Sequence, residues 1–197
     1  MDDVFKWKSL VAYVLAVIFG MVAYRAFTPA KSSTEMDRTQ LTFSGDKLTI
    51  AATGLPFTGT MVERFKDGSV RSSSMVLNGL LHGPSHGYYT NHSAQVREHF
   101  VNGVSHGVRT KWYADGTLQS ETTIVHGRVT GKFRRWHENG QLAEEATFLE
   151  GQPDGESHAY FPSGYLKAAA RYKKGQPVSQ ESWDDGQHAG RLVAAGN

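Results

Sequence analysis

A chain of 197 residues with 21 Lys and Arg against 19 Asp and Glu has room for one ordinary domain plus appendages. Five of the basic and four of the acidic residues precede residue 41, leaving 16 against 15 beyond it, so neither part has the charge excess that nucleic-acid binding needs. The absence of cysteine excludes disulfides, thiol catalysis and thiolate metal sites, and it fits an oxidising compartment.

After a short tail, residues 1–8, comes the apolar run Leu10 to Tyr24, flanked by Lys6, Trp7 and Lys8 on one side and Arg25 on the other. The run is shorter than the roughly 20 residues that cross a bilayer, but snorkelling by Lys8 and Arg25, with Trp7 and Phe27 at the interfaces, extends it to about that length. Residues 9–27 therefore read as a transmembrane helix or signal anchor. A cleaved signal peptide is the alternative, and Thr28-Pro29-Ala30 is a poor cleavage site for one. Basic residues on both sides leave the positive-inside count undecided, while the short basic start favours an inward N-terminus with the rest of the chain outside. Residues 28–40 are polar and read as a tether. Residues 41–58 read as an irregular N-terminal cap.

From Gly59 the chain repeats at one fixed spacing. Gly59, Gly83, Gly107, Gly131 and Gly155 open five units, and Gly79, Gly103, Gly127, Gly151 and Gly175 close them. Within each unit two strand-like runs flank a turn: Asp67-Gly68, Asn91-His92, Asp115-Gly116, Asn139-Gly140 or Ser163-Gly164. Gly68, His92, Gly116, Gly140 and Gly164 thus occupy structural turn positions that need positive φ, which histidine tolerates better than most residues. In the strand after the turn, Leu118, Ser120, Thr122 and Ile124 alternate with more polar residues, the period of a half-buried strand. Pro162 favours a three-residue loop over a two-residue turn, because a proline in the last paired position would cost a ladder bond.

That loop pairs the column Arg64, Tyr88, Trp112, Trp136, Tyr160 across the hairpin with Val70, Ala94, Leu118, Leu142 and Leu166. It leaves Phe65, Tyr89, Tyr113, His137 and Phe161 as an exposed column, the candidate partner-binding surface. Short glycine-bounded links join the units, so the expected fold is all-β: a single elongated antiparallel meander of about five hairpins over 59–178, preceded by one transmembrane helix. Ten strands at about 4.8 Å make a ribbon on the order of 45–50 Å long. Residues 179–197 read as a C-terminal cap, a truncated unit in Ser179–Gly186, and a tail.

An opening glycine, an aromatic pair, an Asn/Asp-Gly turn, a following leucine, a later aromatic and a closing glycine recur, most fully in FRRWHENGQLAEEATFLEGQPDG, Phe133–Gly155. This pattern resembles the MORN-variant repeats of bacteria. The resemblance implies a binding or scaffolding module, with some members labelled antitoxin-like, and it carries no catalytic residue. No hydrolase, phosphate-loop or paired-carboxylate pattern appears. His82, His86 and His106 are close enough in register to raise a metal site, but later units place Thr130 and Asp154 there and no shell completes. Expectations are therefore a non-enzymatic protein with no cofactor, no metal and no nucleic acid. Its partners would be a membrane and another protein, with a glycan possible, at the bacterial inner membrane and with the repeats periplasmic or extracellular. The alternatives are an antitoxin- or immunity-like inhibitor and an envelope glycan-binding module.

Overall fold

The computed structural model describes residues 34–187. The expected transmembrane segment 9–27, the N-terminal tail and residues 188–197 lie outside them. No helix among the described residues is long and apolar enough to cross a membrane.

The described part is all-β. Strand β1 (Glu35–Asp37) leads through a single 3-10 turn (Arg38–Gln40) into the hairpin β2 (Leu41–Ser44) and β3 (Lys47–Ile50). The first unit is β4 (Gly59–Arg64) and β5 (Val70–Leu77), the second β6 (Leu80–Tyr88) and β7 (Ala94–Val101). In the third unit the first strand is split into β8 (Val104–Ser105) and β9 (Gly107–Trp112), followed by β10 (Leu118–Val125). The fourth is β11 (Arg128–Trp136) and β12 (Leu142–Leu149), and the fifth β13 (Gln152–Tyr160) and β14 (Leu166–Lys173). A last strand, β15 (Gln176–Ser182), opens a sixth unit that is never completed.

Strands β4 to β15 pair in sequence order, with β8 held by β7, and β1 adds to β4 in parallel to make a 13-stranded sheet. The expected meander is present, with one parallel strand at its start. That strand corrects the tether assignment, since Glu35 to Asp37 pair with Thr60 to Val62. Their backbone groups satisfy the edge that the first repeat would otherwise leave open. Asp37 then starts the turn by accepting from the Thr39 N–H.

The cap packs on the first unit. Leu41, Leu48, Phe57 and Val76 form the buried cluster, with Met36, Ile50, Met61 and Leu81 against it. Phe57 is only 1% exposed, and the backbone between cap and repeat is stitched by Leu48 N–H to the Gly79 carbonyl and Gly79 N–H to the Phe57 carbonyl, both 2.8 Å.

The glycine-bounded links are two-residue turns in which both residues have positive φ: Asn78-Gly79, Asn102-Gly103, His126-Gly127, Glu150-Gly151 and Lys174-Gly175. This mirror-image turn matches the twist of the flanking strands, and Asn is the residue that best precedes glycine in it. His126, Glu150 and Lys174 hold φ of 49–50° without asparagine's local hydrogen bonding. Replacing Glu150→Asn is expected to stabilise the chain by about 0.5 kcal/mol, since the Arg128 ion pair it loses is long and exposed. A denaturant midpoint measured against the wild type checks this, and a lower midpoint would contradict it.

Four closing glycines also donate their N–H groups to carbonyls at the start of the first strand of the hairpin they end: Gly103 to Leu81, Gly127 to Ser105, Gly151 to Val129 and Gly175 to Pro153, at 2.7–2.9 Å. Each of these turns is thus bonded back across the hairpin that it ends.

Candidate functional site

At the other end of each hairpin the loop has three residues. Phe65 N–H donates to the Ser69 carbonyl and Gly68 N–H to the Phe65 carbonyl, and the same two bonds recur at Tyr89, Tyr113, His137 and Phe161. Gly68, Gly116, Gly140 and Gly164 have φ of 80–91°, and His92 has 66°. Pro162 occupies the first loop position, where its fixed φ suits the turn. Side chains secure the bend: Asp67, Asn91, Asp115 and Asn139 each accept from the backbone N–H of the second residue after them, at 2.8–3.1 Å.

Arg64, Tyr88, Trp112, Trp136 and Tyr160 pair with Val70, Ala94, Leu118, Leu142 and Leu166, the expected partners. The strand reading needs one correction. The register slips after each of these pairs, so Leu118 faces Trp112 while Ser120 faces Lys111, and consecutive residues of β9 point to opposite faces. Leu118 therefore lies on the Trp112 face, and Ser120, Thr122 and Ile124 on the other.

The second column departs from expectation in its exposure. Phe65, Tyr89, Tyr113, His137 and Phe161 are all half-buried. The tips of three reach the next unit: Tyr89 Oη donates to the Trp112 carbonyl and Tyr113 Oη to the Trp136 carbonyl, both 2.8 Å, and His137 Nε2 lies 2.9 Å from the Tyr160 carbonyl. A carbonyl only accepts, so His137 carries a proton on Nε2. Asn91 and Asn139 add bonds from Nδ2 to the Ala114 and Pro162 carbonyls, both 2.7 Å. Tyr89, Tyr113 and His137 are thereby held against the next hairpin rather than presented to solvent. Removing one such hydroxyl, Tyr113→Phe, is expected to cost about 1 kcal/mol, read as a lowered denaturant midpoint; Phe161→Tyr, at a column position without a polar tip, serves as comparison.

The histidines singled out in the sequence have a related use. The N–H groups of Asn102 and His126 point at Nδ1 of His82 and His106, at 3.4 and 3.5 Å, and the Lys174 N–H donates to Asp154 Oδ2 at 3.0 Å. The position thus faces the left-handed residue of the following turn. Among the described residues no group of three or more His, Cys, Asp or Glu is placed to hold a metal ion.

The structure also carries a surface feature that the sequence reading missed. Leu77, Val101, Val125 and Leu149, at the same position of four successive units, are 43%, 39%, 38% and 57% exposed. Each immediately precedes a two-residue turn, and by register they share a face with the equally exposed Val104 and Val108. The signal was available as an apolar residue before every turn dipeptide of the first four units. It goes unnoticed when the turns are treated as links rather than as structure.

The same face carries a charge ladder. Arg134 pairs with Glu145 at 2.6 Å, Lys132 lies 3.8 Å from it, and His158 is the register partner of Glu145 in β13. The Arg134 hydrogen bond, against a desolvation penalty and with help from Lys132 and His158, holds the Glu145 carboxyl below its ordinary 4.5. A lowered folded-state value adds stability above the unfolded value and loses it as pH falls through the folded one. Between pH 5 and about 3, the wild type should lose stability more steeply than Glu145→Gln, a difference that acid titration of the denaturant midpoint reads directly.

Comparison with known families matches two stretches, residues 105–126 and 129–150, to the MORN repeat variant, and no curated protein matches the chain. Repeats of this kind commonly bind proteins or membranes. The two matched stretches sit at equivalent positions of the third and fourth hairpins, so these two hairpins are similar to the MORN repeat variant, and they stand in register with the three others of the sheet.

Proposed function

We propose that the chain is a non-enzymatic, membrane-anchored repeat module that binds another protein at the bacterial envelope. The observation that carries this reading is the exposed apolar row Leu77, Val101, Val125 and Leu149, continued by Val104 and Val108. Exposed apolar side chains recur at one position of four successive hairpins on a single face, and a recurring exposed apolar row of this kind suits an interaction face better than ordinary solvated surface. The Leu10 to Tyr24 run supports attachment to a bilayer. A scaffold and an inhibitor of one effector would use the same face; the glycan alternative draws less support, because the aromatic tips it would use are bonded between units.

A photo-crosslinking residue placed at Val125 or Leu149 of the full chain in native membranes should give a discrete protein adduct. The same residue at Lys111, exposed on the opposite face by register, should not. Equal adducts from both faces, or none from Val125, would refute the reading. The adduct's identity separates scaffold from inhibitor: an effector whose activity the chain suppresses favours the second. An export-dependent reporter fused after residue 197 tests the outward orientation, and an inactive reporter rejects it.

A further inference from the structure

The bonds that tie the three-residue loops together are missing at one junction. Units two and three share the Tyr89 and Asn91 bonds, three and four the Tyr113 bond, and four and five the His137 and Asn139 bonds. In unit one the corresponding residues are Phe65, which has no hydroxyl, and Asp67, which has no amide nitrogen. The Thr90 carbonyl, equivalent to the bonded Ala114 and Pro162 carbonyls, receives no such bond. Between these two loops the surface opens into a cavity of about 490 Å³ lined by Arg64, Phe65, Lys66, Asp67, Arg71 and Thr90.

Its lining is basic in a way no other unit reproduces. Arg64 replaces the aromatic of its column, and its guanidinium is fixed by Glu35 at 2.6 Å and by the Gly68 carbonyl at 3.1 Å. Lys66 and Arg71 make no ion pair or hydrogen bond among the described residues. The lone acid, Asp67, directs Oδ1 to the backbone N–H and hydroxyl of Ser69, so it does not neutralise either cation at close range. The cavity therefore offers two unspent cations, a pre-positioned third and the edge of Phe65.

We propose that this cavity receives an acidic side chain from an extended peptide segment of the partner protein. The inference rests on the protein-binding reading and names the chemistry of one anchor point: a carboxylate bonded by Lys66 and Arg71, with its aliphatic stem on Phe65. The carboxylate enters a gap that exists because units one and two lack the bonds that close the other junctions.

The test uses the full-length chain in mild detergent and a fluorescein-labelled hexaglutamate peptide, followed by anisotropy at low salt. Lys66→Ala combined with Arg71→Ala should weaken binding about tenfold or more, while Lys111→Ala with Lys173→Ala, an equal loss of charge elsewhere, should change it less than about twofold. Phe65→Tyr with Asp67→Asn installs the missing hydroxyl and amide. It should weaken binding about threefold by closing the gap, although it removes a negative charge; diffuse attraction predicts tighter binding instead. Equal loss from both alanine pairs, tightening in the closed variant, or no peptide binding at all overturns the proposal. Phosphatidylglycerol vesicles that bind with Lys66 and Arg71 dependence, when the peptide does not, overturn it in favour of a lipid surface. If the Val125 adduct persists while the peptide fails, only the pocket assignment falls; if both fail, the protein-binding reading falls with it.

Discussion

Gly79→Ala should be among the most damaging single substitutions in the repeats, costing about 3 kcal/mol or more, while Gly116→Ala should cost only about 1 kcal/mol. Both glycines hold positive φ, at 83° and 91°, so both replacements carry the strain of a left-handed backbone. The difference lies in what surrounds them. A Cβ at Gly116 meets nothing within 4 Å, because the loop tip faces solvent. At Gly79 it meets Lys47 Cβ at 2.8 Å and the Leu48 carbonyl oxygen at 2.9 Å, and neither can swing away as a flexible side-chain end would. Relief requires moving β3 off the first unit, which breaks the paired bonds through Gly79 and exposes the cluster around Phe57. Thermal melting of the two variants measures the gap, and equal destabilisation would show that β3 is free to shift.

Phe57→Ala should be of similar or greater effect, on the order of 3–5 kcal/mol. Phe57 is the most buried large side chain among the described residues, and it fills the space between Leu41 and Leu48 of the cap and Val76 of the first unit. Its loss leaves a cavity walled by two separate pieces of backbone, and the cost depends on how far these can collapse together. The expected outcome is local as well as global. Hydrogen exchange of β2 and β3 should accelerate strongly, while β11 to β13, which make no contact with the cap cluster, should keep protection set by their own pairing. Uniform acceleration along the sheet would instead show that the cap and the repeats unfold as one unit.

The sequence revealed the hairpin period, the loop length and the cross-strand partners because each depends on residues close together in the chain. Pro162 sufficed to choose the three-residue loop, and that loop determined that Trp112 meets Leu118 and Trp136 meets Leu142. Part of what escaped was set by residues a full unit away. The burial of Tyr89 and Tyr113 depends on carbonyls of the next unit, which no local pattern displays. The register slip after Leu118 moved it to the other face, because a bulge has no strong residue signature of its own. Glu35 to Asp37 lack any apolar period, so only the open edge of β4 explains why they pair. The exposed row Leu77, Val101, Val125 and Leu149 was present in the repeat but stood beside the turns rather than in the strand pattern.

The bonds that run from one unit to the next have one more consequence. The side-chain bonds link a hairpin only to its immediate neighbour, and the bond from the closing-glycine N–H recurs in every hairpin from the second to the fifth. One more unit, copied from the fourth hairpin and inserted behind it, would find every backbone partner it needs and would remove none from the others. Length is therefore a free variable in the middle of this molecule and a fixed one at its start, where the cap is fitted to a single hairpin through Phe57 and Gly79. Relatives that differ in reach could arise by whole-unit duplication downstream of the second hairpin, with the basic cavity and the cap carried along unchanged.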